Sequence, residues 1–344
     1  MADQEGMGRY LKGGMLRPRS KLLVESEDSL TRDRQHRQIS GYFRCTHRAI
    51  MGRVGLLWRK DTIQDMGTLS GSVAIVTGAS RGIGKGIALS LGEAGATVYV
   101  TGRTEHESEA AVPLPGTIHE TADAITRLGG KGIAVRCDHR RDEDVIALFG
   151  RVKEEQGADS LAVLVNNAWA GYEGINDGRD VPIDRPFWEK RLALWDDNQV
   201  GVRAAYVASA LAAPIFVARK RGLIVHLSNW IEAFGNPAYA AAKASTDRLA
   251  ADMAHELRPY NVAVVALYPG LVRTESVLKF AEYFDLSNSE SPQFIGRAVI
   301  ALMLDPQVMH KSGQRLMAAE LAQEFHFTDI DGKQPLPVHN VRPR

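Results

Sequence analysis

The stretch Ser72–Gly84, SVAIVTGASRGIG, decides the fold of this chain. A short apolar run ends in a loop that holds Gly78, Gly82 and Gly84, and a helical pattern follows directly. Glycine permits the tight turn from strand to helix and lets the backbone approach a pyrophosphate, which the helix N-terminus favours. Because the loop has this strand–turn–helix context, it indicates a dinucleotide-binding loop rather than a glycine-rich turn without a ligand.

Strand-like runs alternate with helical stretches from this loop to about residue 325. The runs predicted as strands are SVAIVTGAS, TVYVTGR, GIAVRCD, LAVLVNNA, GLIVHLS and VAVVALYPG. They are nearly all apolar, which is typical of a parallel sheet covered on both faces. One intervening helix is predicted to begin after Thr117 and to end before Gly129. The sequence therefore predicts an α/β fold, a Rossmann-type doubly wound parallel sheet, as a single domain over residues 70–325.

The two ends of the chain differ from this domain. Residues 1–65 carry a net charge of +5, against −4 for the rest, and have few apolar residues in periodic order. We expect a disordered extension, or an upstream start with Met66 as the true beginning. A transit segment or a nucleic-acid-binding arm is the alternative, but the acidic ESED at Glu25–Asp28 is not typical of transit peptides. The tail at residues 333–344 is expected to be disordered.

Composition narrows the class of partner. The 344 residues have a net charge of +1 and are 44% hydrophobic, so nothing indicates nucleic acid or an anionic membrane as a partner. The two cysteines, Cys45 and Cys137, cannot form a disulfide framework, and metal-ligand spacing is absent. No apolar run reaches the ~20 residues of a membrane span, and the start lacks a signal-peptide core. We expect a cytoplasmic protein with a small-molecule ligand and no metal.

The end of the second predicted strand bears on the choice of nucleotide. NAD-binding folds usually place an acid there for the ribose 2′-hydroxyl, but this strand ends in TGR at Arg103. Arg81 lies in the glycine loop itself. Two guanidinium groups near the ribose suit a 2′-phosphate, which predicts NADP(H). Glu105 is close enough in sequence to keep NAD(H) as the alternative.

A tyrosine and a lysine in AYAAAKAS, Ala238–Ser245, are the candidate catalytic pair. Tyr239 and Lys243 are four residues apart on a predicted helix and therefore share a face. A free phenol has a pKa of ~10, too high for acid–base work at neutral pH. A cationic lysine and an oxidised nicotinamide nearby would favour the phenolate. The spacing alone is common on helices, so the pair gains its meaning from the nucleotide loop upstream.

Several motifs occur together in a characteristic order: TGASRGIG, Asp138 after the third strand, NNA at 166–168, Ser228, Tyr239-x-x-x-Lys243, and YPG at 268–270. With them, the chain from Ser72 to Thr274 resembles a classical short-chain dehydrogenase/reductase. The resemblance extends to about Lys333 and leaves out residues 1–65. Details such as GATVYVTGR, RLAADMAHEL, WDD and DIDGK favour one particular type within this family.

The resemblance implies a role for each matched residue. Tyr239 would protonate the carbonyl oxygen after hydride transfer, Lys243 would lower the pKa of the phenol and fix the ribose, and Ser228 would polarise the substrate. The implied cofactor-binding residues, from the glycine loop to the segment after the sixth strand, are Gly78, Ser80, Arg81, Gly82, Ile83, Gly84, Arg103, Asp138, Asn167, Tyr239, Lys243, Pro269, Gly270, Val272 and Thr274. Among these, Asp138 would bond the adenine amine. The family also commonly forms dimers or tetramers through two helices, which predicts a homodimer or homotetramer.

Two departures from the family pattern leave alternatives open. Gly201 stands where the family usually has a catalytic asparagine, and Asn198 lies one turn earlier. The interval from Ser228 to Tyr239 is 11 residues, slightly shorter than is typical, so Asn229 is a second candidate for the serine position. The resemblance implies an NADP-dependent carbonyl reductase or alcohol dehydrogenase. An epimerase or dehydratase on the same fold, or a non-catalytic nucleotide-binding protein, is the alternative.

Aromatic residues suggest the nature of the substrate. The loops expected to rim the site contain Trp169, Tyr172, Trp188, Trp195 and Trp230, and the segment VLKFAEYF adds apolar surface. Each tryptophan alone is more typical of a core than of a ligand contact. Together they predict an apolar, bulky pocket, which suits a hydrophobic ketone, aldehyde or steroid-like alcohol.

Overall fold

The fold is described by a computed structural model that covers residues 68–157, 159–171, 173–176, 185–229 and 236–337. The extension 1–65, the expected start at Met66, and the aromatic residues Tyr172 and Trp230 lie outside the described residues.

A seven-stranded parallel sheet forms the centre of the molecule. Its strands are β1 (Val73–Val76), β2 (Thr97–Gly102), β3 (Lys131–Arg136), β4 (Leu161–Asn166), β5 (Gly222–Leu227), β6 (Val262–Tyr268) and β7 (Arg315–Met317). The order across the sheet is β3-β2-β1-β4-β5-β6-β7, and every neighbouring pair is parallel. The predicted doubly wound α/β domain is therefore confirmed. The edge strand β7 was not predicted, because its three residues are too few to show a pattern.

Helices cover both faces of the sheet. They are α1 (Gly82–Glu93), α2 (Ile118–Arg127), α3 (Asp142–Gln156), α4 (Glu173–Asn176), α5 (Ala193–Arg219), α6 (Pro237–Leu257), α7 (Glu275–Lys279), α8 (Pro292–Leu304) and α9 (Ala318–Phe325). One apolar core lies between the sheet and α1, α2, α8 and α9. A second core lies on the opposite face, under α3, α5 and α6. The strands are buried on both sides, which explains their nearly continuous apolar sequences.

The predicted helix boundaries hold at α2. The Thr117 side chain accepts a hydrogen bond from the Glu120 backbone, and the Glu120 side chain accepts one from the Thr117 backbone, which forms a capping box. Gly129, just past the end of α2, has a φ of +98°, a left-handed conformation that favours glycine.

Helix α5 is long and apolar enough to span a membrane by length and composition. In the fold it packs against β4, β5 and α6. Its buried residues Ala204, Ala208, Ala212 and Phe216 recur at helical spacing. A core helix of a layered α/β domain passes the same test of length and composition, although only 33% of the apolar window of α5 is buried in the domain.

The segment after α9 lies against the domain. The tail predicted to be disordered begins at residue 333, yet residues 333–337 make specific contacts. Leu336 and Asn288 exchange two hydrogen bonds, of 2.8 and 3.0 Å, and the Gln334 side chain donates to the Ala322 carbonyl at 3.0 Å. Residues 338–344 lie outside the described part of the chain.

Candidate active site

A cleft of about 570 Å³ lies at the carboxyl ends of the strands. The chain winds away in opposite directions from β1 and β4, so the gap between these neighbouring strands is the topological switch point at which such sheets bind ligands. The cleft brings together the predicted residues Gly78, Ser80, Arg81, Gly82, Ile83, Arg103, Asp138, Asn167, Ser228, Tyr239, Lys243, Pro269, Gly270, Val272 and Thr274. Of the predicted site residues, Gly84 does not line it.

The glycine loop is shaped by its contact with β4. Gly78 has a φ of +65°, and a Cβ atom there would lie 2.8 Å from the Ala168 Cα atom. Asn167 holds the loop from the same side, because its side-chain amide donates to the Thr77 and Gly78 carbonyls, both at 2.9 Å. A Cβ atom on Gly84 would collide with that amide, so a glycine at this position is needed for the packing of Asn167 against the loop.

An anionic group already lies at the N-terminus of α1. The Gly82 backbone N–H donates to the Glu275 carboxylate, with an N···O distance of 2.8 Å. Helix α1 has no acidic residue in its own first turn, and the side chain of its N-cap residue, Arg81, makes no capping hydrogen bond. A pyrophosphate bound at this position would therefore replace the Glu275 carboxylate at the Gly82 N–H.

Two arginines lie at the end of the cleft formed by the β1 and β2 loops. Arg81 donates through Nη2 and Nε to the carbonyls of Gly116 and Pro115, at 2.7 and 3.1 Å. Burial lowers the pKa of Arg81, and the positive charge of Arg103 acts in the same direction. Arg81 and Arg103 both line the cleft.

Two acidic residues near these arginines, Glu173 and Glu105, form ion pairs with different basic residues. Glu173 forms an ion pair with Arg103 and a second one, of 3.0 Å, with Arg140. Glu105, the residue that kept NAD(H) as an alternative, pairs instead with Arg136 and His119, each at 3.5 Å. Glu105 does not line the cleft, so its carboxylate is turned away from the nucleotide end.

Tyr239 lies in the first turn of α6. Pro237 occupies the first helical position, and the Asn236 side chain caps the helix by accepting from the Tyr239 backbone N–H at 3.2 Å. The phenol oxygen of Tyr239 accepts a hydrogen bond of 3.1 Å from the Asn229 side chain. Lys243 lies one turn later, and its Nζ atom donates to the Leu227 carbonyl at 3.0 Å, 5.6 Å from the centre of the Tyr239 ring.

Burial shifts both groups of this pair away from their charged forms. It raises the pKa of Tyr239, and the hydrogen bond from Asn229 opposes that rise. It also lowers the pKa of Lys243 to about 8, against the attraction of Asp247. Because both groups are removed from water, a charge added to the cleft would change the pKa values of Tyr239 and Lys243 strongly.

The structure gives Asn229, rather than Ser228, the contact with the phenol. The Ser228 hydroxyl lines the cleft and donates to the Lys243 carbonyl at 3.3 Å. Asn198 is buried, and its side-chain nitrogen donates to the Leu194 carbonyl of its own helix at 2.8 Å. Asn198 and Gly201 line a small cavity of about 20 Å³ that Lys243 also borders.

A buried carboxyl group holds the loop after β6. Glu290 Oε2 accepts from the Gly270 N–H at 2.7 Å, and the Glu290 backbone exchanges hydrogen bonds of 2.8 Å with Leu271 and Arg273. Burial raises the pKa of Glu290 to about 7, and the negative charge of Asp329 adds to this, while Arg273 opposes it. Glu290 was not predicted as a site residue, because its partners, from Arg273 to Asp329, are 17 to 39 positions away in the sequence.

Apolar side chains also line the cleft. Val277, Phe280 and Phe284, from the predicted apolar segment, lie there with Trp169. Trp188 and Trp195, which were predicted to rim the site, are 73% and 53% exposed and do not line the cleft. Among the described residues, no group of three or more His, Cys, Asp or Glu could hold a metal ion.

The model of the short chain dehydrogenase family matches residues 72–282, and the chain belongs to that family. It is an NAD(P)-dependent short-chain dehydrogenase/reductase.

The chain is 41% identical, over 281 residues, to dehydrogenase/reductase SDR family member 1 of Mus musculus, covering 77% of this chain and 85% of that protein. Its Homo sapiens counterpart is 40% identical over 284 residues, with the same coverage. These two relatives confirm the type within the family that the sequence details favour.

Solved structures share the fold. A hydroxysteroid dehydrogenase from Escherichia coli has a TM-score of 0.58 and 27% identity, covering 73% of this chain and 96% of that chain. A gluconate 5-dehydrogenase-like structure from Beutenbergia cavernae, solved with bound NADP, has a TM-score of 0.59 and 26% identity, with the same coverage.

Proposed function

We propose that the protein reduces a carbonyl group, or oxidises the corresponding secondary alcohol, on an apolar and bulky small molecule with NADP(H). The observation that carries this proposal is the position of Tyr239. Its phenol receives a hydrogen bond from Asn229, has Lys243 beside it and borders the same cleft as the glycine loop.

Residues of the chain would donate and accept the proton of this reaction. Bound NADPH supplies the hydride that the carbonyl carbon accepts. Tyr239 gives its phenolic proton to the carbonyl oxygen, and Asn229 stabilises the resulting phenolate by donating to it. Lys243 stabilises the same phenolate by its charge. In the oxidation direction Tyr239 takes the proton back from the alcohol.

The arginines at the nucleotide end support NADP(H) over NAD(H). Arg81 and Arg103 both line the cleft, whereas Glu105 is engaged elsewhere. Guanidinium groups bind phosphate through charge-assisted hydrogen bonds. The Beutenbergia cavernae neighbour with bound NADP is consistent with this choice.

The apolar side of the cleft supports a hydrophobic substrate. The side chains of Phe280, Phe284 and Val277 have no polar or charged group that could bind a sugar or an acid. The Escherichia coli neighbour is a hydroxysteroid dehydrogenase, so a steroid-like ketone or alcohol belongs in any first set of test compounds.

A screen of hydrophobic ketones and aldehydes for NADPH oxidation tests the proposal. We expect at least one compound to give Tyr239-dependent oxidation of NADPH, with steroid-like ketones ahead of sugars and keto acids. An epimerase or dehydratase, or a protein that only binds nucleotide, would give no net oxidation. Tight NADPH binding with no oxidation across the panel would therefore favour those alternatives.

A further inference from the structure

The indole ring of Trp169 packs against the catalytic pair. Trp169 lies in the loop after β4 and lines the cleft. Its ring centre is 5.2 Å from that of Tyr239, with an angle of 64° between the planes, so the two rings meet edge to face. The Lys243 Nζ atom lies 5.8 Å from the centre of the indole. Trp169 therefore contacts both members of the pair.

Gly201 provides the room for this indole. A Cβ atom at Gly201 would lie 3.0 Å from Trp169 Cδ1 and 3.0 Å from the Ala168 carbonyl oxygen. A larger side chain at this position of α5 would require the indole or the Ala168 carbonyl to shift by a few tenths of an ångström. The glycine at position 201 and the tryptophan at position 169 are thus complementary in shape.

The indole also has an electrostatic consequence. The Lys243 ammonium group is partly buried and donates a hydrogen bond to the Leu227 carbonyl. The charged group that acts on it is Asp247, one turn further along α6. An aromatic face within about 6 Å attracts an ammonium ion, and the attraction is stronger when water is excluded. The indole therefore favours the charged form of Lys243.

We propose that Trp169 is a positioning residue, which keeps Lys243 charged and holds the Tyr239 phenol edge-on in the cleft. The role in turnover rests on the proposed function, but the contact with Lys243 can be tested without a substrate. Trp169 acts through Lys243 and Tyr239, so its removal should change their titration as well as the rate.

Titration of the full chain by NMR, with ¹³C at the lysine Cε positions, measures this directly. Lys243→Met assigns the Lys243 signal. We expect Trp169→Leu to lower the Lys243 midpoint by about 0.5–1 pH unit, the size of one cation–π contact. Trp169→Phe, which keeps an aromatic face, should lower it less. The exposed Trp188, changed to leucine, is the matched control and should leave the midpoint unchanged.

Gly201→Ala gives a second test that keeps the tryptophan. The added methyl group should displace the indole, so the Lys243 midpoint should fall as it does in Trp169→Phe. This variant decides the question if Trp169→Leu does not fold. An unchanged or raised Lys243 midpoint in the folded variants would overturn the proposal. A chain that shows the expected shift yet oxidises no NADPH would instead contradict the proposed function.

Discussion

Arg103 is the residue on which the choice between NADPH and NADH is expected to depend most. It lines the cleft beside Arg81, and its guanidinium also pairs with Glu173. Changing Arg103 to alanine removes one charge-assisted contact to a 2′-phosphate, so NADPH affinity should fall about 10- to 100-fold. NADH affinity should change by no more than about twofold, because NADH has no such phosphate.

Fluorescence titration of both nucleotides measures this effect. Arg127→Ala is a suitable control, since Arg127 is exposed at the end of α2 and does not line the cleft. Equal losses for NADPH and NADH would mean that Arg103 supports the loop rather than the phosphate.

The roles of single residues were predictable where they depend only on residues a few positions away in the sequence. Gly78, Gly82 and the Tyr239–Lys243 spacing follow from turn and helix geometry within a few positions, and the cleft brings them together. Asn229 and Trp169 were harder to assign, because their contacts with Tyr239 are set by how the loops after β4 and β5 meet. No spacing rule relates such loops, and packing decides which side chain reaches the phenol.

The loop after β6 depends on Glu290, and this dependence should vary with pH. The carboxyl pKa is about 7 in the folded chain, against 4.5 as its ordinary value. The folded state therefore holds the proton more tightly than the unfolded state between these values, so the contribution of Glu290 to stability falls as pH rises from 4.5 to 7. Below pH 4.5 the carboxyl group is neutral in both states and the shift in pKa costs no stability. Above pH 7 the cost is complete, on the order of 3 kcal/mol.

Glu290→Gln isolates this contribution. The amide oxygen still accepts from the Gly270 N–H, and the side chain stays neutral at every pH. The free energy of unfolding of the variant, relative to the wild type, should rise from pH 5 to pH 8. Urea unfolding across this range measures it, with the exposed Glu282 changed to glutamine as the control. A difference that stays constant with pH would contradict the account.

Whole elements were predictable where their residues repeat a period. The strands β1 to β6 were recognised as apolar runs, and α2 from its capping residues. The edge strand β7 has only three residues, and its pairing with β6 is a property of the assembled sheet. The contacts of residues 333–337 were missed for a related reason, since Asn288 and Leu336 are 48 positions apart.

At the scale of the whole molecule, we propose that the protein self-associates through α5 and α6. These helices pack against each other on one face of the sheet. Their outer surfaces carry the small exposed residues Ala210, Ala244 and Ala251, which permit close approach of a second copy. Light scattering at micromolar concentration should give the mass of a dimer or tetramer, and Ala244→Arg should reduce it. A monomeric mass for the unchanged protein would contradict the proposal.

The extension 1–65 is predicted to be dispensable. A chain that starts at Met66 keeps every strand and helix of the domain, because β1 begins at Val73. Its melting temperature and its NADPH binding should match those of the full chain. A chain that starts at Thr77 lacks the interior strand β1 and should not fold, which makes it the negative control. A large loss of stability in the Met66 chain would show that the extension packs on the domain.

The central claim is that Tyr239 is the proton donor of an NADP-dependent reductase, and Tyr239→Phe tests it most directly. The change deletes one hydroxyl group and keeps the ring that packs on Trp169. On a carbonyl compound from the NADPH-oxidation screen, turnover should fall about 10²- to 10⁴-fold while NADPH binding is retained. The exposed Tyr260, changed to phenylalanine, should leave turnover intact. Near-full turnover by Tyr239→Phe, with the chemical step rate-limiting, would contradict the account.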